Sequence, residues 1–182
     1  MDYYVLEQEV DRIDSFVIAG MPDIQPAGPW YSGARLAMEP MNPIAFDLRQ
    51  DGSSVLPDFF DSAIPVFSAK LCKALRDAGV HNFEAYPAVL RNLDRGETIS
   101  GYFAVNIIGL VACADMGRSG YMDPTGTGLT TVFFSELKID TARSQGLDLF
   151  RLAESVGELL ISDKLLARLR PLGLVAMRFH RA

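Results

Sequence analysis

Apolar and polar positions recur with two different periods along this chain, and each change of period marks an element. Tyr3 to Val10 alternates residue by residue and is rich in β-formers, as is Ser15 to Ala19. With turn-forming Asp11 and Asp14 between them, the two segments predict an opening strand pair. From Gly20 to Pro43 the periodicity is lost. Pro22, Pro26, Pro29, Pro40 and Pro43, with Gly28 and Gly33, leave little room for regular structure, and Trp30 and Tyr31 lie in the middle of the stretch. Loops this long are uncommon in compact domains unless they are functional or mobile. Ile44 to Leu48 predicts a short strand, and Asp51 to Ser54 a turn.

The clearest helical period runs from Ser68 to Gly79. Ser68 can cap it, Leu71, Leu75 and Ala78 share one face, and Gly79 suits the left-handed position after the last turn. A strand over Val80 to Tyr86 is expected next, ended by Pro87, and then a polar, turn-rich stretch from Leu90 to Thr98. Gly101 to Ala114 and Leu129 to Ile139 have strong β character, and a Gly/Ser/Asp/Pro loop from Gly117 to Gly128 separates them. The expectation is an α+β fold with a mainly antiparallel sheet and two short helices, each capped by Ser and stopped by Gly. A single domain is expected over 1–182: N-terminal strands and a Pro/Gly-rich loop over 1–55, then a core over 56–182.

The second of those helices comes from an internal echo. Val66-Phe67-Ser68-Ala69-Lys70-Leu71, Leu75-Arg76 and Gly79-Val80 are matched by Leu160-Ile161-Ser162-Asp163-Lys164-Leu165, Leu169-Arg170 and Gly173-Leu174, displaced by 94 residues throughout. Both copies read as strand end, Ser cap, short helix, Gly stop and strand, the second strand being Leu174 to Phe179; Pro171 disturbs only the last turn of the second helix. A duplicated unit and two independent solutions to capping a short helix are both compatible with this pattern. The spacing is too long for a solenoid repeat.

Composition narrows the function classes. With 49% hydrophobic and 22% charged residues over 182 positions, there is ample material for a core. No apolar run reaches the ~18 residues that span a bilayer. The N-terminus has neither the basic start nor the apolar stretch of a signal peptide, so a cytoplasmic location is expected. The net charge is −6 and no basic stripe is interleaved with aromatics, which argues against nucleic acid as a direct partner. An acidic surface would instead attract a basic protein, though mild acidity also serves solubility alone.

Catalytic chemistry is hard to find. Cys72 and Cys113 each sit in an apolar periodic segment and are expected to be buried. His81 and His180 lie in no metal-binding spacing, and a Cys–His81 nucleophile pair has no local signature. Asp123 to Gly128 faintly resembles a phosphate loop but lacks its Lys, and the G-x-G-x-x-G order is absent. Paired carboxylates such as Asp58 and Asp61 are usually solvated in an acidic chain. No cofactor, metal or catalytic residue is therefore assigned. What remains is surface character: Trp30, Tyr31, Tyr121 and Met122 stand in Gly/Pro-rich loops, and such side chains are favoured where proteins bind each other. For Trp30 the competing reading is that its ring folds back to cover the core.

Three segments carry a family resemblance. They are P-V-F-S-x-K-L-x-x-x-L-R-x-x-G-V from Pro65, Y-x-x-x-N-x-x-G from Tyr102, and F-R-L … I-S-x-x-L … L-x-x-x-G-L from Phe150. In this order they resemble immunity family eleven of bacterial polymorphic toxin systems, formerly a domain of unknown function, over roughly the part from Leu56 onward. The resemblance implies an antidote that binds a cognate toxin in the producing cell's cytoplasm and blocks its active site. It implies no catalytic residues. The Asn106 to Gly109 turn and Arg151 look structural, the latter as a partly buried cation pairing with a carboxylate. An enzyme with dispersed Cys/His or carboxylate chemistry, and a self-associating regulatory module, are the competing classes.

Overall fold

A computed structural model of the chain describes residues 1–10, 16–20, 22, 24, 29–50 and 55–182. In chain order the elements are β1 (Tyr3–Gln8), β2 (Phe16–Ile18), β3 (Ile44–Gln50), β4 (Phe59–Phe60), β5 (Val66–Ser68), α1 (Ala69–Asp77), β6 (Phe83–Asn92), β7 (Glu97–Ile107), β8 (Leu110–Val111), β9 (Gly120–Met122), β10 (Phe133–Glu136), β11 (Leu149–Leu152), β12 (Leu159–Ser162), α2 (Asp163–Leu169) and β13 (Met177–Arg181). The fold is α+β and mostly antiparallel sheet. One sheet runs β13-β1-β12-β11-β8, another β2-β3-β6-β7-β5-β4, and β9 and β10 form a separate ribbon. Among the described residues only the β3–β6 and β8–β11 pairs are parallel.

Both helices start by the same device. Ser68 and Ser162 end a strand in extended conformation, and each hydroxyl accepts the amide of the residue three further on, Leu71 and Leu165, at 3.0 Å. Each hydroxyl in turn donates to a carboxylate that immediately precedes the neighbouring strand, Asp58 before β4 for Ser68 and Asp148 before β11 for Ser162. Gly79 and Gly173 follow the helices with φ of +86° and +60°, a conformation in which a side chain would be strained.

The echo extends beyond the caps. Ser68 and Ser162, Gly79 and Gly173, and the first residues of the next strands, Phe83 and Met177, are each 94 apart. The sheet order around the first helix is β6-β7-β5-β4 and around the second β13-β1-β12-β11, every neighbouring pair antiparallel. β1 thus fills in the second unit the place that β7 fills in the first. Two chance helix caps do not require matching strand orders; a twice-used unit does.

This explains why the expected opening strand pair is not found. β1 buries both faces, Tyr3 and Val5 toward one core and Leu6 toward another, so it belongs inside a sheet. It lies between β12 and β13, while β2 pairs with β3. The turn expected around 11–14 and the one at 51–54 lie outside the described residues. Pro87 does not end its strand either. β6 runs through it to Asn92, because β3 joins β6 only from Ala88 and Pro87 is exposed at that open edge. Of the stretch from Leu90 to Thr98 expected to be turn-rich, Leu93–Gly96 form the turn of the β6–β7 hairpin and the rest is strand, and β9 lies inside the segment expected to be loop.

Three cores result. Leu71, Leu75, Leu165 and Leu169 of the helices pack with Phe67, Val105, Leu6 and Ile161 from both sheets. Trp30, Phe46, Leu90 and Tyr102 fill the outer side of the six-stranded sheet. Phe150, Leu152, Leu160, Cys113 and Leu137 fill that of the five-stranded one. Among the described residues no helix is long and apolar enough to cross a membrane.

Candidate partner-binding face

The β9–β10 ribbon is set apart from both sheets. Met122 lies directly opposite Phe133, and Tyr121 opposite Phe134. Phe134 turns toward the core beneath, so its neighbour Phe133 must point away, since successive strand residues face opposite sides. Met122 and Phe133 are accordingly 64% and 61% exposed, with Tyr121 and Leu129 about half exposed beside them. The root of the ribbon is firmly held. Val132 is buried and its amide donates to the Glu154 carbonyl, the Thr130 amide donates to the Ala153 carbonyl at 2.8 Å, and the Lys138 amide donates to the Ser119 hydroxyl at 2.9 Å. Large apolar side chains held out in water on an anchored ribbon are a usual sign of a binding surface.

Beside the ribbon, between β10 and the β13 edge of the five-stranded sheet, lies a cleft of about 360 Å³. Val5, Phe134 and Leu137 line it with apolar surface, and Glu7, Glu136, Glu158, His180 and Arg181 are its ionisable lining residues. Glu7 Oε2 is 2.9 Å from His180 Nε2, Glu136 is 3.2 Å from Lys138 and Arg181 is 2.6 Å from Asp2. Burial, with Glu7 and Asp61 adding repulsion, pushes Glu158 up to about 7. Asp61, although exposed as a whole residue, is raised to about 6 by partial desolvation of its carboxyl, with Glu7 adding to it and Arg151 opposing. Desolvation of like charges held together is the common cause.

Arg151 stands behind this acidic group and departs from the expected ion pair. It is 1% exposed; one terminal nitrogen, Nη1, donates to the Val156 carbonyl, and its Nε and Nη2 have no partner. Tyr31 lies over the guanidinium at 5.0 Å, a cation–π contact. The positive charge is balanced through space by Asp61 and not by a bonded carboxylate. Of the four aromatic and Met residues singled out from sequence, Tyr121 and Met122 therefore lie together on the ribbon, whereas Tyr31 covers Arg151. Trp30 is inside: it is 4% exposed and meets Tyr86 edge-on at 5.7 Å, so its ring packs the core.

The other sequence candidates have structural settings. Cys72 and Cys113 are free and buried, and burial pushes their thiols up to about 11 and 12, which leaves no thiolate at neutral pH. His81 is exposed. Asp58 holds Ser68 and accepts the Val175 amide at 2.8 Å. In the loop that faintly resembles a phosphate site, Asp123 accepts the amides of Thr125, Gly126 and Gly128, so the loop's donors are taken by its own carboxylate. Asn106 sits within β7, not in a turn, and donates to Ala34 and Glu84; Gly109, with φ of +129°, makes the turn. Among the described residues no group of three His, Cys, Asp or Glu side chains is placed to hold a metal.

Phe133, Leu129 and the Glu7–Glu158 pair are site residues that sequence reasoning missed. The adjacent aromatics Phe133-Phe134 in a strand were a legible signal that one ring faces out. The carboxylates carried none, because β1 and β12 are 150 residues apart in sequence and only their pairing brings them together. Compared with known protein families and with curated proteins, the chain matches none.

Proposed function

We propose that this chain is an immunity protein that binds a cognate bacterial toxin in the cytoplasm and occludes its active site, without catalysis of its own. The observation that carries the reading is the anchored ribbon with Met122 and Phe133 held out in water opposite one another. Such a surface favours burial against another protein, at about 25 cal/mol for each Å² of apolar area removed from water. The acidic cleft beside it adds a charge that a basic partner would complement. The ordered motifs from Pro65 to Leu174 are consistent with the same role.

The test is protection in cells. Co-expression with the toxin encoded in the neighbouring reading frame should restore growth, and Phe133→Ser with Met122→Ser should abolish protection while leaving the fold intact. Growth arrest despite soluble, folded protein would refute the proposal. One observation favours the carboxylate-enzyme reading: Glu158, which lines the cleft, is raised to about 7. Under that reading Glu158→Gln would abolish a hydrolytic activity, and under the antidote reading the variant still protects cells at high expression.

A further inference from the structure

The cleft between β10 and β13 adjoins the exposed ribbon, and its charges are unequally satisfied. Glu7 faces His180, Glu136 faces Lys138, and Arg181 is engaged by Asp2. Among the described residues the Glu158 carboxylate has neither a hydrogen bond nor an ion pair, although the residue is half-buried. A half-buried carboxylate without a protein donor relies on water alone, and a cation brought to it replaces that water with a charge-assisted hydrogen bond. Its surroundings favour a cation carried on a partly apolar segment: Phe134, Leu137 and Val5 line the same cleft, while Met122 and Phe133 stand on the other face of the ribbon. Both bordering strands, β10 and β13, have a strand neighbour on one side only among the described residues, which leaves main-chain groups for an extended segment. The whole chain is acidic, at −6, so long-range attraction has the same sign.

We infer that the partner engages this face through an extended, partly apolar segment whose lysine or arginine side chain enters the cleft and meets Glu158. This deepens the antidote reading, which it needs for the partner's identity but not for the chemistry of the cleft. The arriving cation would stabilise the ionised form of Glu158, so binding releases a proton and strengthens as pH rises from 6 to 8. The charged groups that act on Glu158 or line the cleft with it are Glu7, Asp61, Glu136, His180 and Arg181.

Amide NMR on the full chain tests this with an end-blocked heptapeptide of alternating leucine and lysine, and with its leucine–glutamate counterpart. The lysine peptide should shift the amides of Glu7, Ser135, Glu158 and His180, Glu158→Gln should weaken it about tenfold, and the glutamate peptide should leave them unmoved. Equal binding of both peptides, shifts confined to another face, no shifts at millimolar peptide, or an unchanged affinity in Glu158→Gln would each overturn the inference. A second arm uses the neighbour-encoded toxin. If the toxin binds and Glu158→Gln alters neither affinity nor salt dependence, the cleft inference falls and the antidote reading stands. If the toxin does not bind while the lysine peptide does, the antidote reading falls and the cleft chemistry stands.

Discussion

Ser68 and Ser162 each do two jobs with one hydroxyl, accepting a helix amide and donating to a carboxylate at the entry to the neighbouring strand. Removing the hydroxyl exposes a helix amide and strands part of a carboxylate's hydrogen bonding. Ser162→Ala should therefore cost about 1–2 kcal/mol in urea denaturation, against about 1 for a simple cap. A loss below about 0.5 would show that Asp148 contributes nothing to the cap. Glu158 makes the opposite kind of residue-scale statement. Its folded pKa, at about 7, lies above the unfolded carboxylate value, so the folded state retains a proton that the unfolded state has lost. Stability from this group is full below about pH 4.5, declines as pH rises and is lost by about pH 7. Glu158→Gln should raise the melting temperature at pH 8 and flatten its fall between pH 5 and pH 8; an unaltered pH profile would contradict this.

At the scale of elements, the ribbon is expected to tolerate changes that the sheets do not. Phe133 projects from the fold, so Phe133→Ser should shift unfolding free energy by about 0.5 kcal/mol or less, as surface substitutions do. Phe134→Ser, one residue on and packed on the core, should be clearly destabilising. Thermal melts of the pair distinguish a display element from a structural one. The elements also differ in how far the sequence disclosed them. Both helix starts and the end of the first helix were legible to within a residue because Ser68, Ser162 and Gly79 act locally, whereas the second α-helix ends at Leu169 and a tighter 3-10 turn with Pro171 covers Arg170–Leu172 before Gly173. The end of β6 was not legible, because Pro87 is admitted by the absence of a neighbour at that edge, which only the sheet order reveals. Trp30 was ambiguous for the same reason: its loop is irregular, and Tyr86, which receives the ring, lies on a strand far along the chain. The acidic cleft was illegible altogether, being the product of β1 meeting β12.

On the scale of the whole molecule, the helices of both units share one core with strands of both sheets. Lys70 of α1 donates to the Gly173 carbonyl at 2.7 Å, and Arg168 of α2 to the Ala78 carbonyl at 3.0 Å, so each helix carries a cation that caps the other's end. Unfolding by urea is therefore expected as one cooperative transition by both fluorescence and circular dichroism. Two separated transitions would mean that the halves are independent.

The borrowed strand has a topological corollary. β1 completes the second unit although it comes from the opposite end of the sequence, and it runs antiparallel to β13 with the Ala182 amide donating to the Tyr3 carbonyl at 3.0 Å. The two ends are thus placed as β6 and β7 are placed around their four-residue hairpin turn. Joining Ala182 to Asp2 through a short Asn-Gly turn, with new termini opened between Val10 and Phe16, gives a circular permutant in which both units have the same strand connectivity. That molecule should fold to the parental circular dichroism spectrum and keep the affinity of the ribbon face. Its failure to fold would mean that the covalent link after β1 is needed to guide assembly, and not only the place that β1 occupies.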